Sequence, residues 1–155
     1  MRADPGSALA EWDAADFALL VEEARAFHRV GPQVLHDPEG FLHEVVAGLF
    51  GVRADAEGGR FAVAPWMPDG WRSMAIRRVR FHRTLLDLEV RPRAEWATVR
   101  LNLTFGPPIA LALSLRNAGP VGRITVDETA LEGDRAIFTV SGEHEAMFFF
   151  EGGIP

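Results

Sequence analysis

The sequence predicts a mainly β fold: an antiparallel two-sheet β-sandwich of jelly-roll or Greek-key type, preceded by an N-terminal helical hairpin. Three observations predict it. The apolar period is three to four residues up to about residue 51 and two beyond it. Turn-forming clusters recur roughly every ten residues in the second part. No helical pattern interrupts the strands there, which points to stacked sheets and not to a layer of helices on a parallel sheet.

The chain divides in this reading into a flexible stretch over 1–12, a helical hairpin over 13–51 and a β-sandwich over 52–155. Residues 1–12 are small, polar and interrupted by proline and glycine, which suits a loosely ordered terminus. From Asp13 onward Phe17, Leu20, Val21, Ala24 and Phe27 fall on one helical face, with Glu22, Glu23, Arg25 and Arg29 on the other. Gly31 and Pro32 supply a stop. Asp37-Pro38-Glu39 then starts a second helix, with a capping side chain, a proline in the first turn and a carboxylate near the positive end of the helix dipole. It runs to about Phe50 and stops at Gly51. Its apolar side chains form two rows, Phe41/Val45/Leu49 and Leu42/Val46/Phe50, wider than the single stripe of a surface helix.

Past Gly51, Phe61 and Val63 alternate with small residues. Met74 to Phe81 reads as a strand with an irregularity at Arg77-Arg78. Leu86/Leu88/Val90 and Val99/Leu101/Leu103/Phe105 alternate with polar residues, as expected of half-buried antiparallel strands. Ile109 to Leu115, Ile124/Val126, Ala136/Phe138/Val140 and Ala146/Phe148/Phe150 continue the series, so about seven or eight strands are expected.

Composition bounds the function. A hydrophobic fraction of 48% and a charged fraction of 25% are those of an ordinary globular protein. No apolar run approaches the roughly 18 residues of a membrane span, so no membrane role is expected. The N-terminus lacks the apolar core of a secretory signal, and a cytoplasmic location is expected. Without cysteine there is no disulfide, thiolate nucleophile or thiolate-bound zinc. All sixteen basic residues are arginine and the net charge is −6. The one dense basic run, Arg77, Arg78, Arg80 and Arg83, is followed closely by Asp87 and Glu89, and an acidic domain of this kind is not expected to bind nucleic acid.

Residues 48–71, GLFGVRADAEGGRFAVAPWMPDGW, join the end of an apolar helix to the first strand through a Gly-rich turn and a Pro-x-x-Pro-x-Gly-Trp loop. Arg123 to Leu131 reads RITVDETAL, and Ser141 to Gly153 reads SGEHEAMFFFEGG. In this order the segments resemble the passage from the last barrel helix into the C-terminal β-sandwich of bacterial six-hairpin (α/α)6 glycoside hydrolases and phosphorylases, the kin of maltose phosphorylases, α-rhamnosidases and glycogen-debranching glucosidases. The likeness covers about residues 38 to 153. It departs at Glu128, where the family usually turns through glycine. In that family the acid and base carboxylates stand in loops of the barrel, upstream of anything matched here. The resemblance therefore implies an accessory module without catalytic residues of its own and without a cofactor. It also implies a partner: a second copy of the chain or a separately encoded (α/α)6 catalytic subunit. The partner surface expected is Phe41, Leu42, Val45, Val46, Leu49 and Phe50, because each apolar side chain left in water forgoes roughly 1.5–3 kcal/mol. The first helix, the sandwich or a partner must cover them.

Other chemistries have local candidates. Glycoside hydrolysis needs two carboxyl groups about 5–9.5 Å apart, and Glu143/Glu145 share one face of a strand at a compatible separation; a solvated polar face on a terminal strand explains them as well. His144 lies between them and points the other way, so Glu143-His144-Glu145 does not converge on a metal. A jelly-roll metalloenzyme would have to join His82 and His144 on neighbouring strands. His28, His36 and His43 belong to the helical part. For carbohydrate the candidates are Trp66 and Trp71, which bracket Pro68-Asp69-Gly70, and Trp96 on the polar register of its strand, since aromatic faces stack on the C–H faces of sugars.

Overall fold

A computed structural model of the chain describes residues 14–31, 33, 35, 37–55, 60–66, 68–116 and 118–152. The stretch 1–12 expected to be flexible lies outside them, as do Pro32 and His36. The chain divides into two compact units, Met1–Val52 and Arg53–Pro155.

The first unit contains α1 (Ala14–Val30) and α2 (Pro38–Glu44). Helix α1 closes where Gly31, at φ 106°, donates its N–H to Phe27 O at 2.8 Å. Helix α2 opens as its sequence requires: Asp37 Oδ1 accepts the Gly40 N–H at 3.0 Å, Pro38 occupies the first turn and Glu39 follows. A side chain at Gly40 would collide with the Asp37 carboxylate, so the cap and the glycine belong together. The expected continuation to Phe50 as one α-helix is corrected. Val45–Leu49 forms a π-helical turn, in which Phe50 N–H bonds Val45 O at 3.0 Å. Two adjacent β-branched valines and Gly48 are poor α-helix formers, which lowers the cost of widening the last turn. Gly51, at φ 63°, ends it.

The second unit is a two-sheet β-sandwich, as the period-two pattern predicts. One sheet has the order β1 (Arg53–Asp55), β2 (Arg60–Val63), β6 (Ile109–Leu113), β9 (Ala136–Val140). The other has the order β3 (Met74–Phe81), β4 (Thr84–Pro92), β5 (Trp96–Phe105), β10 (Glu143–Phe150), β7 (Val121–Val126), β8 (Thr129–Leu131). The three-residue strands β1 and β8 bring the number of described strands above the seven or eight expected. One pair, β2 with β6, is parallel. The chain between them passes through β3, β4 and β5 of the opposite sheet, so no hairpin forces an antiparallel return.

The core lies between the sheets. Leu86, Leu88 and Val90 on β4, Ala97, Val99 and Leu101 on β5, Ile124 on β7 and Ala146 and Phe148 on β10 are buried, and they face Val63, Leu111, Leu113, Ala136 and Val140. Phe61 and Phe81 meet edge to face across the sheets, ring centroids 5.1 Å apart. Strand β10 comes last in the chain but is flanked by β5 and β7. That position explains why its Ala146 and Phe148 are wholly inaccessible.

The turn at Glu128, where the resemblance leads one to expect glycine, forms without it. Asp127 and Glu128 hold φ values of 48° and 70°, as in a two-residue hairpin turn of the type that matches strand twist. The Asp127 carboxylate secures it, Oδ1 accepting Glu145 N–H at 2.9 Å and Oδ2 lying 2.6 Å from His144 Nδ1.

Candidate functional site

The outer face of the six-stranded sheet carries the polar register of every strand, and the pairing fixes which side chains meet there. Trp96 on β5 is opposite Phe149 on β10, and Phe149 is opposite Arg123 on β7. The Arg123 guanidinium sits 4.2 Å from the Phe149 ring centroid. Trp96 is 36% exposed. The three side chains make a row across adjacent strands, ending in a partly exposed tryptophan. Phe149 was legible in the alternation, because Phe148 and Phe150 point inward and leave it outward. Arg123 was not, since only the strand order brings it alongside.

Trp66 and Trp71 lie apart from that row. Both are half-buried. The loop bearing Trp66 is clamped by Arg116, whose backbone N–H bonds Pro65 O at 3.0 Å and whose Nε bonds Ala64 O, while Trp66 and Arg116 form a short parallel bridge. Burial, together with the neighbouring Arg53 charge, pulls the Arg116 guanidinium down to about 10, which still leaves it cationic at neutral pH. Trp71 closes a turn by donating its N–H to Pro68 O at 3.3 Å.

Glu143 and Glu145 project from the same face of β10 into different settings. Glu143 is exposed; Glu145 Oε2 accepts from Arg100 Nε at 2.7 Å on the neighbouring strand. That hydrogen bond, and then the carboxylate charge, raises the Arg100 pKa. His144 faces the interior edge of the sandwich, its ring 5.7 Å from that of Phe138. Ser141 N–H donates to its Nε2 at 3.2 Å, which leaves the proton on Nδ1 for Asp127. Asp127 is held below the usual carboxylate range, first by the Glu145 N–H and then by His144.

His82 occupies the β3–β4 turn, at φ 56°, with its ring 5.9 Å from Phe61. The pairing of His82 and His144 on neighbouring strands is therefore corrected: β4 and β5 lie between β3 and β10, a separation of about 14 Å at the usual spacing of strands. Among the described residues no group of three His, Asp or Glu converges as a metal site.

In the first unit the expected partner surface divides. Phe41, Leu49 and Phe50 are buried, Val45 and Val46 are half-buried, and Leu42 is 57% exposed. Among the described residues of this unit the large apolar side chains open to solvent are Leu42 together with Leu19, Phe27 and Val30, and the last three fall on one side of α1. Phe27 also touches Phe41, ring centroids 5.5 Å apart. Sequence periodicity identified Phe27 as apolar-face but not its partial exposure. No described helix is long and apolar enough to cross a membrane.

No curated protein matches the chain. A family model does, and it covers the last residue of β1 and strands β2 to β6, the segment that holds Trp66, Trp71, Trp96 and the arginine run. Residues 55–113 are similar to the C-terminal domain of glycosyl hydrolase family 65, the kind of domain that the helix-to-strand junction resembles.

Proposed function

We propose that the chain is a non-catalytic accessory module that supports assembly, either as a homodimer or with a separately encoded (α/α)6 catalytic subunit. The family match over residues 55–113 carries this reading, because the matched domain is the C-terminal one, and the resemblance implies that the acid and base carboxylates stand in a barrel upstream of it. Two structural observations support it. Glu145 is ion-paired with Arg100, which engages one carboxylate of the Glu143/Glu145 pair. Leu19, Phe27, Val30 and Leu42 offer apolar surface that a partner would remove from water. The purified chain is expected to cleave no aryl glucoside and to release no sugar phosphate from maltose and phosphate. It is expected to form a dimer, or a complex with a six-hairpin subunit, that Leu19→Glu with Leu42→Glu dissociates in light scattering. Turnover abolished by Glu143→Gln or Glu145→Gln overturns the non-catalytic reading. A chain that stays monomeric and ignores such a subunit overturns the assembly role.

A second reading is favoured by the row Trp96–Phe149–Arg123: a carbohydrate-binding face on the outer sheet, with Trp66 and Trp71 as further candidates. The exposed part of Trp96 suits stacking on a sugar ring, and Arg123 suits its hydroxyls. Maltooligosaccharides are expected to shift the tryptophan fluorescence, and Trp96→Ala to abolish the shift. An unchanged spectrum at millimolar sugar removes this reading.

A further inference from the structure

Two adjoining depressions open on the second unit beside β4, of about 610 and 390 Å³. The larger is lined by Arg77, Arg78, Leu85, Asp87, Thr104 and Phe105. The smaller adds Arg80, His82, Arg83, Gly106 and Pro107, and shares Leu85 and Phe105 with the larger. Four arginines thus meet one carboxylate in a chain whose net charge is −6.

Two strand irregularities build this place. On β3 the register shifts between Ile76 and Val79, so Arg77 and Arg78 together oppose Asp87 of β4. In a regular strand two consecutive side chains point to opposite faces; here both arginines line the same depression. Asp87 fixes the bulge, its Oδ1 accepting Arg78 N–H at 2.8 Å and its Oδ2 lying 3.5 Å from Arg77 Nη1, while Arg78 itself sits at φ 56°. On the other flank of β4 the register shifts again between Leu85 and Leu86, which leaves Thr104 as the extra residue and sets Phe105 opposite Leu85 on the outer face. Phe105 is 68% exposed. Bulges on both neighbours of one strand turn two cations and an aromatic ring toward the same point, the re-aiming for which bulges are used at binding sites.

Arg77 leans on Asp87, but among the described residues no ion pair engages the guanidinium of Arg78, Arg80 or Arg83. Clustered like charges repel, and such a group is stabilised by a polyanion, whose oxygens guanidinium forks bind in pairs. Beside them Leu85 and Phe105 present an apolar floor with an aromatic face.

We propose that these depressions form a binding site for a small polyphosphate anion bearing a flat ring, with the phosphates on Arg78, Arg80 and Arg83 and the ring on Phe105. The class is that of nucleoside di- and triphosphates. The site is independent of the assembly role and of the Trp96 row.

Calorimetric titration of the full chain in low-salt, magnesium-free buffer tests it with three probes: ATP, inorganic tripolyphosphate and adenosine. ATP is expected to bind with a Kd of roughly 1 mM or tighter, tripolyphosphate more weakly, and adenosine not measurably. Added salt weakens both anions. Arg78→Ala with Arg80→Ala is expected to lower the affinity for both anions by about tenfold or more. Phe105→Ala removes the advantage of ATP over tripolyphosphate and leaves tripolyphosphate unchanged. Arg93→Ala, an exposed arginine outside the depressions, changes nothing. Absence of binding by either anion, equal loss in Arg93→Ala, or full affinity in the double arginine variant overturns the proposal; circular dichroism of each variant confirms that it is folded.

Discussion

Phe148→Ala is expected to be the most damaging truncation in the sandwich. The ring lies on β10, opposite Ala97 of β5 and Ile124 of β7, and all three side chains are fully buried. Removing a buried phenylalanine loses its transfer free energy and leaves a cavity that a strand fixed by ladders on both sides cannot close, so the cost is about 3–5 kcal/mol. Thermal unfolding should fall by on the order of 10 °C. Met147 is the control. It is the adjacent residue, half-buried on the outer face, and Met147→Ala should cost under about 1 kcal/mol by the same measurement. Equal midpoints for the two variants would mean that β10 does not carry the core.

The same strand shows what a sequence can and cannot disclose. Alternation in Ala146/Phe148/Phe150 was enough to say which face of β10 is buried, because the period of a strand is fixed by its geometry. Nothing in those residues says which strands flank it. Only the pairing with both β5 and β7 places it inside the sheet. Strand order follows from packing between distant segments, and neither propensity nor periodicity encodes it locally. The parallel β2–β6 pair was hidden for the same reason. Helix α2 was legible at its start, where Asp37, Pro38 and Glu39 act through local bonds, and less so at its end. There the widened turn over Val45–Leu49 answers to packing as well as to propensity.

The candidate sites divide along the same line. Trp96 was legible as an outward residue, but its platform was not, since Phe149 and Arg123 come from the distant strands β10 and β7 and meet it only through the strand pairings. Phe105 was misplaced outright. The alternation Val99/Leu101/Leu103/Phe105 puts it in the core, and one extra residue at Thr104 flips it to the surface. The irregularity at Arg77-Arg78 was visible as a break in pattern. Its consequence, two arginines aimed at one place, depends on Asp87 across the pair. Bulges are where a period-two reading fails, and two of them, at Arg77-Arg78 and at Thr104, flank the depressions that gather four arginines.

Gly106→Ala should be the second severe substitution, and it acts through that region. Gly106 follows β5 at φ 92°, in the left-handed range that costs an L-residue about 1–2 kcal/mol. Its α-carbon is also pressed against the β3–β4 turn. A methyl group there would overlap Arg83 O and come within 2.8 Å of Thr84 Cα and 2.9 Å of Arg83 C. These are backbone atoms, and they cannot rotate away. They are also held in place, because Thr84 Oγ1 donates to Pro107 O at 2.6 Å and ties the turn to the residue after the glycine. The expected loss is about 3 kcal/mol or more, conformational strain plus displaced backbone. Gly133→Ala separates the two contributions. Gly133 has φ 100° with no atom within 4 Å of the added carbon, so it should lose only the conformational part, about 1–2 kcal/mol. Denaturant titration of both variants measures the difference. Equal losses would show that the turn yields to the methyl group, and that the close approach of Gly106 to Arg83 is not what shapes the smaller depression.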